Sequence, residues 1–344
     1  MRSPPHPGRR EFIKDSLVAS AGATAALVSV STQGQARPPR LNLQLGWEVG
    51  STLIGEIVAR RLGFYQQEGL LLDIRPGGPN LDGVAVVASE HAELGQTSSS
   101  PSLMLAVSQG IPIRCFAVGA QRHPYAFFSL ERNPVRKPGD LRGKRVAMSP
   151  TGAVLLRALL AANGISAKEV RVIPSGAGMG LLLTGQADVA TGWSTNTTAL
   201  KALGPGVVQM SLWDAGVRLY GLPYYAATKT LRDHPREIEA FVRATARGWR
   251  YASERRDEAV DMAVRDFPQL DRADERVALD RMLQFSFGGL ARAQGWGAMD
   301  PAFWQEQIDL YAGLGQFTAK KPAVADVMTL DVLNATKGAR LRVA

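Results

Sequence analysis

Hydrophobic and polar positions along this chain switch repeatedly between a period of two and a period of three to four. Residues 41–47 alternate, with Leu41, Leu43 and Leu45 set against Asn42, Gln44 and Gly46. That alternation predicts a strand ending at Trp47. Residues 51–62 read as a helix opened by Ser51 or Thr52 and stopped by Gly63. Further strands are predicted over 70–75, 92–96 and 111–120, with helices over 81–89 and from Ser100-Pro101 to Gln109. The rhythm restarts after Asn133-Pro134, with strands over 144–148, 170–174 and 188–191 and helices over 152–163 and near 177–184. A strand over 221–227 crosses back, and from Pro235 the chain is mostly helical. Ile238, Phe241, Val242, Thr245 and Trp249 fall near one face of residues 237–255.

Two α/β units, joined by an outward and a returning strand, predict a two-lobed body with mainly parallel sheets. The expected division is residues 40–124 with 226–344 as one lobe and 125–225 as the other. Open α/β sheets bind ligands beyond the carboxyl ends of their strands. Two such sheets facing each other across a two-strand hinge would bring all those loop ends to one cleft.

The first 36 residues read as an address. Arg9-Arg10-Glu11-Phe12-Ile13-Lys14 precedes an uncharged stretch over 16–36 that ends in small residues, Gly34-Gln35-Ala36. The paired arginines resemble a twin-arginine export signal, although Gly8 stands where Ser or Thr is usual. The stretch is poor in Leu, Ile and Phe for a membrane span. No cysteine directly follows it, so no lipid anchor is expected; the mature chain is expected to be a periplasmic monomer without a membrane span.

Composition agrees with a globular body: 344 residues, 45% hydrophobic and 21% charged. The net charge of +9 could suggest nucleic acid, but the densest basic runs are only pairs and no aromatic platform accompanies them. A nucleic-acid partner is therefore not expected. The lone cysteine, Cys115, sits in an apolar run and reads as a small buried hydrophobe.

Candidate ligand-binding residues stand at the strand ends. Trp47 offers a stacking face and Glu48 an acceptor for an amino group. Gly78 ends the second strand, Thr97 and Ser98 the third, and Gln121 the fourth. Thr151 and Ser175 occupy the same position in the second unit, where helix starts offer unpaired N–H groups. Ser and Thr there are also ordinary helix caps. Trp193 and Asn196 close the unit's third strand. Tyr224 and Tyr225 lie on the returning strand, where alternation sends one ring into the cleft and one away. Of the two, Tyr224 is taken as the candidate. No catalytic residue, metal site or cofactor is expected: the histidines His6, His91, His123 and His234 are not at ligand spacing, and no Gly-x-Ser-x-Gly elbow occurs.

Several short segments resemble the NMT1/THI5-like (SsuA/THI5-like) solute-binding proteins of ABC transporters. They are Gly46-Trp47, Leu62-Gly63-Phe64-Tyr65, Glu68-Gly69-Leu70, Gly77-Gly78-Pro79, Val87-Ala88-Ser89 and Ala92-Glu93-Leu94-Gly95. Asp140-Leu141-Arg142-Gly143-Lys144, Leu183-Thr184-Gly185-Gln186-Ala187-Asp188 and Gly295-Trp296-Gly297-Ala298-Met299-Asp300 extend the likeness over most of the chain. The resemblance implies a type II periplasmic-binding-protein fold, permease subunits as partners, and ligands such as thiamine-pyrimidine precursors, flavins or sulfonates. Pyrimidine synthases of the same fold use a cysteine-rich motif that this chain lacks. A heterocycle-processing enzyme, or a sensor or delivery protein for a sulfonate-like anion, remains the alternative to a transport receptor.

Overall fold

The computed structural model describes residues 38–78, 81–176 and 178–340. The expected leader, residues 1–36, lies outside them. Ten strands form in chain order: β1 Arg40–Leu45, β2 Leu71–Arg75, β3 Leu94–Gln96, β4 Ile113–Ala120, β5 Tyr125–Leu130, β6 Arg145–Met148, β7 Arg171–Pro174, β8 Val189–Trp193, β9 Val207–Ser211 and β10 Gly221–Ala227. They make two five-stranded sheets, ordered β2-β1-β3-β10-β4 and β7-β6-β8-β5-β9.

The two sheets share one plan. In the first, β1 runs parallel to β2 and β3, while β10 lies antiparallel to both β3 and β4. In the second, β6 runs parallel to β7 and β8, while β5 lies antiparallel to both β8 and β9. Each sheet thus contains one reversed strand, and that strand arrives just after the chain crosses over from the other sheet. The sequence predicted mainly parallel sheets, and these two strands are the exceptions. A division at residue 225 would cut β10, which belongs whole to the first sheet.

Burial explains what periodicity missed. β5, Tyr125-Ala126-Phe127-Phe128-Ser129-Leu130, opens with four apolar residues in a row and has no alternation to read. Tyr125 and Phe127 join the main core, whereas Ala126 and Phe128 join a smaller cluster with Met179 and Leu182 on the opposite face. A strand covered on both faces needs no polar side. β9 is a short edge strand with no counterpart in the sequence reading.

The helix ends follow local chemistry. Gly63 adopts φ 72°, the left-handed region that glycine enters without a Cβ penalty, after the helix Ile54–Arg61. Asp82 caps Gly83–Ala88 by accepting from the Val84 and Ala85 amides. The helix Ser100–Ser108 has Ser99 at its N-cap position, one residue earlier than expected, with no side-chain capping hydrogen bond. Ser100 is instead buried, its hydroxyl engaged by Gln307 and the Tyr220 carbonyl.

The long helix Pro235–Glu254 buries Ile238, Phe241, Val242, Thr245 and Trp249, the face read from the sequence. It meets the helix Ile54–Arg61 at two glycines. A Cβ at Gly248 would lie 2.0 Å from the Gly55 carbonyl oxygen, and one at Gly55 would lie 2.2 Å from the Trp249 ring. The Trp296-Gly297-Ala298 segment closes the outer edge of the first sheet, where the Val118 amide donates to the Gly297 carbonyl at 3.1 Å. Trp296 is buried against Tyr224 at 5.3 Å between ring centroids, and Asp300 caps the helix Pro301–Gly313. Among the described residues no helix is long and apolar enough to cross a membrane.

Gly248→Ala should therefore push the two helices apart and lower stability by at least about 1–3 kcal/mol, the usual cost of overpacking. Urea denaturation measures it; an unchanged midpoint would mean the helices do not approach this closely.

Candidate functional site

The carboxyl ends of β1 and β3 are drawn together by short backbone contacts. The Gly46 amide donates to the Gln96 carbonyl at 2.7 Å, and the Gly77 amide donates to the Trp47 carbonyl at 3.0 Å. A Cβ at Gly77 would fall 2.2 Å from the Leu45 carbonyl oxygen, so only glycine lets the 76–78 loop lie across the end of β1. Leu222 takes φ 51°, an uncommon conformation for a branched side chain, while its amide donates to the Ser98 carbonyl. Strain of this kind persists only where the surroundings hold it.

These ends open into a cavity of about 740 Å³ lined from both sheets. That size lies within the roughly 300–1,000 Å³ typical of small-molecule sites. From the first sheet come Trp47, Glu48, Gly78, Asp82, Gln96, Thr97, Ser98, Ser99, Leu222 and Tyr225. From the second come Tyr125, Ser149, Thr151, Gly152, Thr191, Trp193 and Asn196. His123 on the crossing and Glu275 on the helix Arg272–Ser286 also line it.

Of the residues singled out from the sequence, the structure brings Trp47, Glu48, Gly78, Thr97, Ser98, Thr151, Trp193 and Asn196 to this cavity. Three stand elsewhere. Gln121 is buried, with its side-chain amide donating to the Ala298 carbonyl at 2.9 Å. Ser175 turns its hydroxyl to the Gly176 carbonyl, and Gly176 rather than Ser175 lines the cavity. Tyr224 is sealed in the core, where it bonds Gln96 and Glu56. The alternation of β10 does send its two rings apart, and Tyr225 is the one that reaches the cavity. Its ring lies so close over Gly95 that a Cβ there would sit 2.2 Å from the phenol carbon.

Several lining groups escaped the sequence reading. Tyr125 comes directly after the crossing, and its hydroxyl lies where a Cβ at Gly152 would be 2.2 Å away. Gln96 belongs to the same strand end as Thr97 and Ser98, which the sequence places at the cleft. Glu275 comes from a helix far along the chain, and no local pattern marks it.

Polar atoms here are held without partners. His123 Nε2 and the hydroxyls of Tyr125 and Tyr225 are buried and make no hydrogen bond, as is Glu275 Oε2. Buried polar atoms without partners cost free energy. The Tyr125 amide donates to His123 Nδ1 at 3.1 Å, which leaves the ring proton on Nε2. Burial lowers the His123 pKa to about 3, so the ring is neutral at physiological pH and presents an N–H donor. His123 packs against Trp193 at 5.4 Å between centroids. Asn196 Oδ1 caps the short helix Thr197–Lys201, so its amide nitrogen is the end left free.

Charge in the lining has one sign. Glu48, Asp82 and Glu275 line the cavity, and among the described residues no lysine or arginine does. Burial raises the Glu275 pKa to about 7; the Ser51 backbone N–H offsets only part of this, and Asp274 and Asp271 add to it.

With this geometry in hand, comparison with known proteins gives a family. The NMT1/THI5-like family profile matches residues 51–259, more than half of the chain. The chain belongs to the NMT1/THI5-like family. A curated relative, named riboflavin-binding protein RibY, from Chloroflexus aurantiacus, is 27% identical over 272 residues, covering 76% of this chain and 77% of its own. A Haemophilus influenzae protein named as a putative thiamine biosynthesis protein is 28% identical over 157 residues, 44% of this chain and 49% of its own. Among solved structures, the alkanesulfonate-binding protein SsuA from Xanthomonas axonopodis superposes with a TM-score of 0.63 at 17% identity, covering 86% of this chain and 99% of that one. This NMT1/THI5-like chain has the periplasmic-binding-protein fold.

A carboxyl group whose pKa is raised on folding binds its proton more tightly in the native state. Its contribution to stability is present below the unfolded value of 4.5 and is lost as pH rises through about 7. Stability of the ligand-free protein should therefore fall between pH 5 and pH 8, and Glu275→Gln should flatten part of that fall. Urea denaturation at the two pH values tests this; identical slopes for both proteins would place Glu275 in an ordinary solvated setting.

Proposed function

We propose that this protein is an exported, periplasmic solute receptor of an ABC importer. It captures a planar, neutral or positively charged ring system and does no chemistry on it. The observation that carries this reading is the cavity itself: two sheets supply its walls, an indole stands in each, and every charged group in its lining is a carboxylate. Indoles offer flat apolar faces to a ring, and carboxylates accept from ring N–H or amino groups. A sulfonate would face Glu48, Asp82 and a Glu275 that is only partly ionised at neutral pH, with no cation among the described residues, which disfavours the anion reading. The names of two relatives, which mention riboflavin and thiamine, agree with a nitrogen heterocycle of the thiamine-pyrimidine-precursor kind.

The proposed mechanism is closure of two bodies, one built on the first sheet and one on the second. The crossings over 121–124 and 212–220 would serve as the hinge. Ligand would stack first on Trp47, and Trp193 and Asn196 would close over it, giving a permease a closed shape to read. The strongest candidates for enzyme chemistry are poorly placed for it. Cys115 is buried in β4, where desolvation pushes its thiol pKa far up, and His123 is a neutral donor whose Nδ1 is already engaged.

Native mass spectrometry of the protein as purified, then calorimetry with riboflavin, an aminopyrimidine and an alkanesulfonate, tests the reading. Binding of a ring compound is expected. A preference for the sulfonate, or turnover of a ring ligand, would overturn it. Trp47→Ala should weaken the ring ligand at least tenfold, about 1.4 kcal/mol; unchanged affinity would remove Trp47 from the site.

A further inference from the structure

A chain of three buried side chains leads from the cavity into the core of the first sheet. Gln96, at the carboxyl end of β3, lines the cavity and is only 5% exposed. Its Nε2 donates to the Tyr224 hydroxyl at 2.7 Å, and that hydroxyl donates in turn to Glu56 Oε1 on the helix Ile54–Arg61. Tyr224 and Glu56 are both fully buried. Neither lines the cavity.

We propose that Glu56 and Tyr224 are positioning residues that decide which end of the Gln96 amide is shown to the ligand. A phenol has one proton. An ionised carboxylate only accepts, so Tyr224 must give that proton to Glu56 and can only accept from Gln96. The amide nitrogen is thereby turned inward, and Oε1 is left as an acceptor for a ligand N–H. If Glu56 takes up a proton it becomes the donor to Tyr224. The phenol proton then points to Gln96, Oε1 turns inward to receive it, and the NH₂ end faces the cavity. One proton on a carboxylate that no ligand touches inverts the polarity of a group at the cavity wall. The inference rests on the cavity being the ligand site.

The surroundings of Glu56 place this exchange near neutrality. Burial raises its pKa to about 7, opposed by the hydrogen bond from Tyr224 and by the Glu56 backbone N–H. From its own helix and the next one along the chain come Arg60, paired with Asp266 at 2.8 Å, and Tyr65, whose hydroxyl shares a 2.7 Å hydrogen bond with Thr245. The helix Pro235–Glu254 contributes Trp249 and Thr245, β10 contributes Tyr224, and β3 contributes Gln96. Asp266 is shared by Arg60 and Arg61, so neither arginine is bonded to Glu56, and Glu56 Oε2 is without a partner.

The ligand-free protein tests the relay by NMR, following the Glu56 carboxyl carbon and the Gln96 side-chain amide from pH 5 to 9. Both should change with one midpoint near 7 in the wild type. In Tyr224→Phe, Glu56 should still titrate while the Gln96 amide stays flat; in Glu56→Gln the amide should be flat too. An amide that is flat in the wild type, or that tracks Glu56 without the phenol, overturns the relay. Riboflavin is the binding probe: its affinity should change by about threefold or more between pH 6 and 8 in the wild type, through linkage to the proton; a change should persist in Glu275→Gln, which removes the lining carboxyl that also titrates near 7, and vanish in the Glu275→Gln, Glu56→Gln double variant. A pH-independent wild-type affinity would remove the relay from ligand choice. Absence of riboflavin binding would count against the ring-ligand reading, and the amide titration would still decide the relay.

Discussion

A strand running against both its neighbours through a sheet must satisfy hydrogen bonds on two edges at once, and β10 does so between β3 and β4. Its register fixes the first sheet's share of the cavity wall. Because Tyr224 stands opposite Gln96 and Tyr225 opposite Gly95, one phenol enters the core and the other reaches the cavity. The slip in register between these tyrosines is absorbed on the β4 side, where Phe116 is passed over. At its start, β10 holds Leu222 in the left-handed region beside Ser98, at the cavity wall. β5 occupies the equivalent reversed place in the second sheet and delivers Tyr125 to the same cavity.

Glycine makes that delivery possible. Tyr225 needs Gly95, the Tyr125 hydroxyl needs Gly152, and the loop that seats Trp47 needs Gly77; in each case a Cβ would lie 2.2 Å from an existing atom. The role is close approach rather than an unusual backbone angle, since none of the three has positive φ. The cavity is therefore shaped by missing side chains as much as by those that line it.

The cavity presents a set of partly committed polar groups. His123 is fixed as a donor because its other nitrogen is engaged, Asn196 has given its oxygen to a helix, and Gln96 is oriented from behind by Tyr224. Fixing each group through another protein group removes rotamer freedom before a ligand arrives, which lowers the entropy cost of binding. The residues on which the family resemblance rests serve mainly as frame. Asp188 holds Arg145, Asp300 caps a helix, Gly63 ends one, and Trp296 backs Tyr224.

Local pattern was enough for the alternation of α and β, the returning strand over 221–227, the buried face of the long helix and the strand ends where Trp47, Thr97, Thr151 and Trp193 stand. These depend on side-chain period and on the rule that strand ends collect ligand-facing loops, and both are properties of short stretches of chain. Tertiary structure alone decided the rest. It passed over Gln121, Ser175 and Tyr224 because each found a partner elsewhere: a carbonyl on a remote loop, its own neighbour, and a buried carboxylate on another helix. It recruited Glu275 and Tyr125 because packing brought distant segments to one wall. Which side of a strand faces a cavity depends on what covers the other side, and that cover comes from residues far away in the chain.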